Sequence, residues 1–387
     1  MKIDQQQIFE EKFKLQISNI LSPIEYADTN NIPSNEISNP DKLCQKPLVS
    51  IVCITYNHEK YIEKAFKGFE MQKCNFEFEV IIGEDCSTDN TLSLCKKFQK
   101  KHPNQVRLIT SETNVGSIKN LIRIFFMARG KYIALCEGDD CWISQNKLQK
   151  QVDFLESNPD YNFIHTNAEV RYFNEEFISV YQNKSEIESL IKSTHPESDR
   201  LLLRWPVATA TTLFRREHCL TLYKNNPQNI YTEIRRLGDI QLWTGLMSLG
   251  KMAYLPDVTA CYHLSKESAT RSKNKKRTFM LFCDAFEVYL KLNSIFNNND
   301  QFVYHDIMRR TAQQALFRAY EVGEITLVKT ANKLLRLYGE RNIIITTSMI
   351  CSSIHAPFWV FHGILKFYTI CNKCRNVFIL KKKFKQS

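Results

Sequence analysis

The sequence lacks the glycine-rich motifs of the commonest nucleotide-binding proteins. No Gly-x-Gly-x-x-Gly follows the first apolar strand and no Gly-x-x-x-x-Gly-Lys-Ser/Thr occurs, which excludes the dinucleotide fingerprint and the P-loop. The first residues have no apolar core of the kind that a secretory signal needs. We therefore expect a cytoplasmic protein, and any phosphate that it binds must be held by something other than a glycine-rich loop.

Long apolar runs and paired metal motifs are also missing. Residues 343–370 are apolar but interrupted by polar and charged residues, so no window of about 20 apolar residues could span a bilayer. The 13 cysteines are odd in number and scattered, which predicts reduced thiols rather than disulfides. The CxxC at residues 371–374 has no second pair, and we predict neither zinc nor redox chemistry there.

The net charge of +11 lies mostly in the last third of the chain. An excess of this size suits nucleic acid, an anionic membrane surface or a phosphorylated substrate. No nucleic-acid-binding motif accompanies it, so nucleic acid is not expected as a partner.

Apolar strands alternate with amphipathic helices from residue 47 onward. Strands are predicted at residues 48–55, 78–83, 106–109 and 132–136. This alternation predicts an α/β fold with a doubly wound, mostly parallel sheet. Residues 1–46 are interpreted as an N-terminal extension and irregular linker, 47–270 as the main domain, and 271–387 as a helical region with a basic tail.

Polar residues follow three of these strands, at residues 55–57, 84–85 and 137–140. The last cluster places Glu137, Asp139 and Asp140 directly after a buried strand. Like charges held together cost several kcal/mol unless a cation compensates them. Because ligands of parallel sheets bind beyond the carboxyl ends of the strands, we expect one shared site with a divalent cation that itself holds phosphates.

Four motifs in this order carry a resemblance to a known family. They are PLVSIVCITYN (residues 47–57), VIIGEDCSTDNT (80–91), NVG (114–116) and KYIALCEGDDCW (131–142). Residues 47–265 resemble the inverting family 2 glycosyltransferases of the GT-A fold, of the type that builds bacterial surface polysaccharides. The resemblance implies a Rossmann-like nucleotide-binding half followed by an acceptor half.

The family pattern implies roles for residues that match its motifs. Glu137 stands where the family usually has the first Asp of its Asp-x-Asp motif, and Gly238 where an acidic residue often precedes the catalytic aspartate. The implied nucleotide-binding residues are Thr55, Tyr56, Asn57, Asp85, Asn114, Gly116 and Asp139. The implied ligands of Mn²⁺ or Mg²⁺ are Asp139, Asp140 and His263, and the implied catalytic base is Asp239. Glu137 and, in the basic run after the domain, Arg271 are expected as diphosphate or flap contacts.

The resulting hypothesis is transfer of a sugar from a nucleotide donor, UDP being favoured, to a saccharide or lipid-linked saccharide. A nucleotidyltransferase on a similar sheet and a catalytically inactive nucleotide-sugar-binding module are the alternatives. For the C-terminal region two readings stay open: a helical domain with a basic tail, or a peripheral contact with the inner face of the cytoplasmic membrane.

Overall fold

The computed structural model describes residues 32–172, 174, 176–180, 207–225, 238–264, 274–276, 278–283, 285 and 301–337. The chain divides into two compact units, Met1–Ser265 and Lys266–Ser387. This division falls close to the predicted boundary after residue 270. Arg271 and the predicted basic tail lie outside the described residues.

The first unit is a mixed α/β structure. Its strands are β1 (Asn35–Ile37), β2 (Val49–Thr55), β3 (Phe78–Glu84), β4 (Val106–Thr110), β5 (Tyr132–Leu135), β6 (Cys141–Trp142), β7 (Tyr161–Tyr172), β8 (Phe177–Val180), β9 (Thr212–Arg215) and β10 (Lys251–Leu264). Its helices are α1 (Ile62–Glu70), α2 (Thr91–Lys101), α3 (Ser117–Met127), α4 (Lys147–Ser157), α5 (Arg216–Asn225) and α6 (Gly238–Leu249).

The described strands form one sheet in the order β1-β4-β3-β2-β5-β9-β7-β10-β6, with β8 paired to β7. The strands β4, β3, β2 and β5 run parallel to one another, as the alternation of strands and helices predicts. Strand β9 is antiparallel to both β5 and β7, and it therefore separates this parallel half from the parallel pair β7 and β10. The prediction of an α/β fold with a largely parallel central sheet is confirmed.

The parallel half is built from strands that are buried on both faces. All seven residues of β3 are buried, and six of the seven residues of β2 are. Helix α1 covers this half with Ile62, Ala65, Phe66 and Phe69, whose spacing places them on one helical face. Continuous apolar strands of this kind need helices over the sheet, which is why the two patterns alternate along the chain.

The predicted linker is partly wrong. Residues 35–37 form β1, which pairs antiparallel with the edge strand β4. The guanidinium of Arg107 on β4 donates to both carboxylate oxygens of Glu36, at 2.7 and 2.9 Å. Strand β1 is fully exposed, so its sequence carries no hydrophobic signal, and only the pairing with β4 makes it a strand.

The second half of the sheet contains two irregular features. A 3₁₀ turn, Thr209–Thr211, leads directly into β9. The register of β10 against β7 shifts at residues 254–260. A bulge of this kind interrupts the alternation of side chains and so looks like a break in the sequence.

The second unit is described mainly through two helices, α7 (Gln301–Val322) and α8 (Ile325–Leu337). They confirm the predicted helical character of this region. Among the described residues, no helix is both long and apolar enough to cross a membrane.

Candidate active site

The three polar clusters meet at one edge of the sheet, beyond the carboxyl ends of β2, β3 and β5. The backbone N–H of Asp85 donates to the carbonyl of Thr55 at 3.1 Å, and that of Gly138 donates to Ile54 at 2.9 Å. A Cβ on Gly138 would lie 2.6 Å from the hydroxyl oxygen of Thr55, so this approach requires glycine. The structure thus brings together the side chains that the sequence predicts to share a site.

The turn after β2 is fixed by the turn after β3. Asn57 has a left-handed backbone with φ 55°, a conformation that asparagine tolerates better than most residues. Its N–H donates to the hydroxyl of Ser87 at 3.0 Å, and its Oδ1 accepts from the N–H of Thr88 at 2.9 Å. Tyr56, between Thr55 and Asn57, is 42% exposed, which leaves a ring available for stacking.

Asp85 holds the loop before α3. Its Oδ1 accepts from the N–H of Val115 at 2.8 Å, and its Oδ2 accepts from the N–H of Gly116 at 2.9 Å. Asn114 completes the loop by donating from Nδ2 to the carbonyl of Asp85 at 3.0 Å. Gly116 has φ 88° and ψ 152°, a region that only glycine adopts readily. These contacts unite Asp85, Asn114 and Gly116 as predicted, although Asp85 here binds protein backbone.

Arg123 on α3 supplies a buried positive charge behind this pair of acids. Its Nη2 donates to the carbonyl of Glu84 at 2.9 Å and lies 4.0 Å from Oδ1 of Asp85. Burial lowers the pKa of Arg123, whereas the charges of Asp85 and Glu84 oppose that effect. A guanidinium stays protonated under such conditions, so the charge of Asp85 is compensated within the protein.

The cluster after β5 is arranged differently. Asp140 is 5% exposed, and its Oδ1 accepts from the backbone N–H of His263 at 3.0 Å. Asp139 is partly exposed, but its Oδ1 is buried and has no hydrogen-bond partner among the described residues. In the described part of the chain, the only basic side chain within 4.0 Å of either carboxylate is His58, whose Nε2 lies 4.0 Å from Oδ2 of Asp139. A buried and a partly buried carboxylate therefore lie close together with few protein partners.

The pKa values of this cluster reflect that arrangement. Burial raises the pKa of Asp140 well above its usual range, and the charge of Asp139 adds to the shift. Desolvation in the cleft raises the pKa of Glu137 to about 8, and the charges of Asp139 and Asp239 contribute. The side chain of Glu137 is nevertheless accessible to solvent.

Asp239 is the second residue of α6 and lies close enough to Glu137 to affect its pKa. About a hundred residues separate it from the acidic motif in sequence, so only the fold brings the two together. The positive end of the helix dipole favours an ionised carboxylate in the first helical turn. The predicted base therefore lies beside the predicted metal-binding cluster.

His263 reaches the same cluster from β10. Its Nδ1 lies 2.8 Å from the carbonyl oxygen of Asp139, whereas its Nε2 faces Sγ of Cys261 at 3.5 Å. As a ligand it would have to use Nε2, because a carbonyl oxygen can only accept and Nδ1 must carry the proton. The predicted diphosphate contact Arg271 lies outside the described residues.

The sequence interpretation missed three contributors. His58 contacts both Thr55, at 3.2 Å between Nδ1 and Oγ1, and Asp139. The sequence did not indicate that Arg123 belongs to the site, because a charged residue on a helix is usually exposed. Cys261 lies two residues before His263 on β10. This Cys-x-His spacing could have indicated that the two side chains point to the same face of the strand.

Comparisons with known proteins relate part of the chain to a known family. Residues 50–219 match the family described as Glycosyl transferase family 2. The matched residues lie within the part of the chain that resembles this family in sequence, and the resemblance is confirmed.

Individual relatives match this part of the chain. An uncharacterized protein of Mycobacterium tuberculosis is 33% identical over 219 residues, which is 55% of this chain and 58% of the relative. The chain thus spans little more than half the length of that relative. The putative teichuronic acid biosynthesis glycosyltransferase TuaG of Bacillus subtilis is 26% identical over 244 residues, covering 61% of this chain and 88% of TuaG. The crystal structure of S. aureus TarS 1–349 with UDP-GlcNAc matches at 16% identity and a TM-score of 0.49, covering 79% of this chain and 92% of that one.

Proposed function

We propose that this chain is a metal-dependent inverting glycosyltransferase that moves a sugar from a nucleotide donor, UDP being favoured, to a saccharide or lipid-linked saccharide. One observation carries the proposal. Asp140 is buried, and the adjacent Asp139 is partly exposed but has a buried Oδ1 with no hydrogen-bond partner among the described residues. Such an arrangement is costly in the free protein and becomes favourable when a divalent cation is bound.

The residues present fit a hard cation. Carboxylate oxygens are the ligands that Mg²⁺ and Mn²⁺ prefer, and Asp139 and Asp140 would hold the ion. His263 is the third ligand that the family pattern implies. When bound, the ion supplies positive charge to a leaving nucleoside diphosphate, whose negative charge grows as the bond to the sugar breaks.

The nucleotide is proposed to bind beside β2 and β3. The exposed ring of Tyr56 offers a face for stacking against a base. Each carboxylate oxygen of Asp85 accepts one backbone bond, which leaves further lone pairs for the imide N–H of a uracil. The same contacts that fix the loop at Gly116 would therefore hold Asp85 in place for the base.

Asp239 is proposed to be the general base. In an inverting transfer, the acceptor hydroxyl attacks the anomeric carbon from the face opposite the diphosphate. The proton of that hydroxyl passes to the carboxylate of Asp239, the new carbon–oxygen bond forms, and the bond to the diphosphate breaks. The position of Asp239 in the first turn of α6 and beside Glu137 supports this role.

The acceptor is proposed to belong to a cell-surface polysaccharide. Support comes from two relatives that match this chain, one named for teichuronic acid biosynthesis and one named a dTDP-rhamnosyl transferase. Because the second name specifies a dTDP-sugar, the donor must be tested rather than assumed.

Thermal unfolding of the protein with UDP, GDP or dTDP, each with and without Mn²⁺, tests the proposal. We expect UDP to raise Tm only when Mn²⁺ is present, and Asp140→Ala to remove that increase. Asp153→Ala is the matched control, because Asp153 is exposed on α4 and accepts only from Gln149 in the described part of the chain. No metal-dependent shift with any of the three nucleotides would contradict the proposal.

A further inference from the structure

We infer that Cys141, Cys261 and His263 form a second cation site, selective for a thiophilic divalent metal of the zinc class. The Sγ atoms of the two cysteines and a ring nitrogen of His263 all lie within 4.8 Å of one another. All three residues are buried. This site goes beyond the proposed transfer reaction, which uses the carboxylates of Asp139 and Asp140.

Strand pairing fixes the three side chains. Cys141 is the first residue of β6 and lies directly opposite Cys261 on β10. Cys261 and His263 are two residues apart on β10, so they point to the same face of the strand. The ligand positions are therefore set by regular backbone rather than by a loop.

The imidazole of His263 is oriented as a metal ligand would be. The Nδ1–H donates to the carbonyl oxygen of Asp139 at 2.8 Å, which leaves the lone pair on Nε2. Histidines that bind a metal usually donate their other ring N–H to a carbonyl or carboxylate in this way. The lone pair faces Sγ of Cys261 at 3.5 Å.

That separation matches the geometry of zinc. With zinc–sulfur and zinc–nitrogen bonds of about 2.3 and 2.0–2.1 Å and tetrahedral angles, the two ligand atoms lie about 3.6 Å apart. In the metal-free state, a weak S–H···N hydrogen bond occupies the same space. Metal binding replaces this bond, because both thiols must lose their protons to become ligands.

Ligand chemistry separates the two cation sites. Two thiolates and an imidazole favour zinc, whereas the carboxylates of Asp139 and Asp140 favour Mg²⁺ or Mn²⁺. The geometry assigns Nε2 of His263 to the thiol group, although the family pattern gives this histidine to the carboxylate group. A metal held here would fasten the two-residue strand β6 to β10 and so fix the backbone of the acidic motif that immediately precedes it.

Cobalt spectroscopy of the full chain tests the inference. The reduced, metal-free protein with Cys371→Ser and Cys374→Ser is titrated with Co²⁺, so that the CxxC of the C-terminal region cannot contribute. We expect a thiolate-to-cobalt charge-transfer band in the near ultraviolet that saturates at one equivalent and disappears when Zn²⁺ is added. Mn²⁺ in large excess should leave the band unchanged.

Single substitutions then identify the cysteines that give rise to the charge-transfer band. Cys141→Ser and Cys261→Ser should each abolish it, whereas Cys219→Ser, which removes a buried thiol on α5, should retain it. If a variant fails to fold, X-ray absorption of the zinc-loaded parent protein replaces it and should show two sulfur ligands and at least one nitrogen ligand. A missing band, a band that survives in both Cys141→Ser and Cys261→Ser, or a zinc shell without sulfur would each overturn the inference. Because no nucleotide is involved, this result is independent of the proposed transfer activity.

Discussion

Two acidic clusters lie on either side of β2, at the carboxyl ends of β3 and β5, and they are treated in opposite ways. After β3, Asp85 accepts two backbone hydrogen bonds, and Arg123 lies behind it at 4.0 Å. After β5, Asp139 has a buried oxygen with no partner, and Asp140 accepts one backbone bond. Asp85 is therefore paired within the protein, although Oε2 of the neighbouring Glu84 also has no hydrogen-bond partner among the described residues. Asp139 and Asp140 have fewer protein partners, and we propose that a ligand completes them.

This difference separates a structural acid from a binding acid, although both look alike in sequence. A buried carboxylate that is fully paired stabilises the fold that holds it. A buried carboxylate that is left unpaired costs folding free energy and is retained where function requires it. Asp85 therefore combines a structural role with its proposed contact to the base, whereas Asp139 and Asp140 are proposed to serve mainly the ligand-bound state.

The largest expected effects come from two substitutions at and beside the second cluster, one of which should remove sugar transfer and the other nucleotide binding. Asp239→Asn should leave metal-dependent UDP affinity within a few-fold of wild type and lower the transfer rate by about a thousandfold, the usual scale for loss of a general base. Asp140→Ala should abolish metal-dependent UDP binding. Calorimetric titration of UDP with Mn²⁺ and a rate assay of UDP release measure the two effects. Equal loss of UDP affinity in both variants would show that this division of roles is wrong.

The parts of the site that the sequence predicts are those set by local pattern. Apolar strands that end in Asp85, Glu137 or Asp140 are visible as runs of letters, and the parallel order then brings their ends together. Asp239 was also located, through its match to the family motif. Predicting these residues requires no knowledge of side-chain packing.

The parts that the sequence could not supply depend on tertiary partners. Whether Asp85 is paired depends on Arg123, which lies in the middle of α3 and is buried only because of where that helix packs. Strand β1 exists only because β4 offers an edge. The cluster of Cys141, Cys261 and His263 depends on the pairing of β6 with β10, which are more than a hundred residues apart. In each case, the partner is chosen by the fold and not by neighbouring sequence.

Lys147 is buried and lies close enough to Cys136, the residue before the second cluster, for the two groups to affect each other's pKa. Its Nζ donates to Oε1 of Gln151 at 2.7 Å and lies 4.4 Å from the ring centre of Trp142. Burial lowers the pKa of Lys147 to about 7. If this lysine is largely neutral at physiological pH, it does not compensate the acids as Arg123 does on the other side of β2.

Lys147→Met tests this through the pH dependence of stability. The unfolded chain, with a lysine pKa near 10.5, binds more protons than the folded protein between about pH 7 and 10.5. Wild-type stability should therefore include a term that rises by several kcal/mol across this window, at up to about 1.4 kcal/mol per pH unit. The Met variant should lack that term. Urea unfolding at several pH values measures the difference, with the exposed Lys150→Met as control, and parallel curves for wild type and Lys147→Met would show that Lys147 is charged when folded.

Removing the structural acid should destabilise the protein. Asp85→Ala leaves the N–H groups of Val115 and Gly116 without their acceptor and leaves Arg123 with only Glu84 to compensate its charge. We expect a loss of about 3 kcal/mol in unfolding free energy, because breaking a buried charged pair costs about 3–5 kcal/mol. Chemical denaturation in the absence of nucleotide measures it. Asp85→Asn, which keeps one acceptor oxygen, should lose less, and an effect below about 1 kcal/mol for Asp85→Ala would contradict the structural role.

The smallest expected effect has the opposite sign. Asp140→Asn removes one of two crowded negative charges but keeps an oxygen that can accept from the N–H of His263. In metal-free protein near neutral pH, this variant should therefore be more stable than wild type by about 1–2 kcal/mol, the usual gain when a strained functional group is removed. Saturating Mn²⁺ and UDP should reverse the order, because only wild type gains the binding free energy of the cation. Thermal unfolding of both proteins, with and without Mn²⁺ and UDP, measures the two differences in stability. If Asp140→Asn is less stable than wild type without metal, the second cluster must be compensated as well as the first, and the contrast between the two acids disappears.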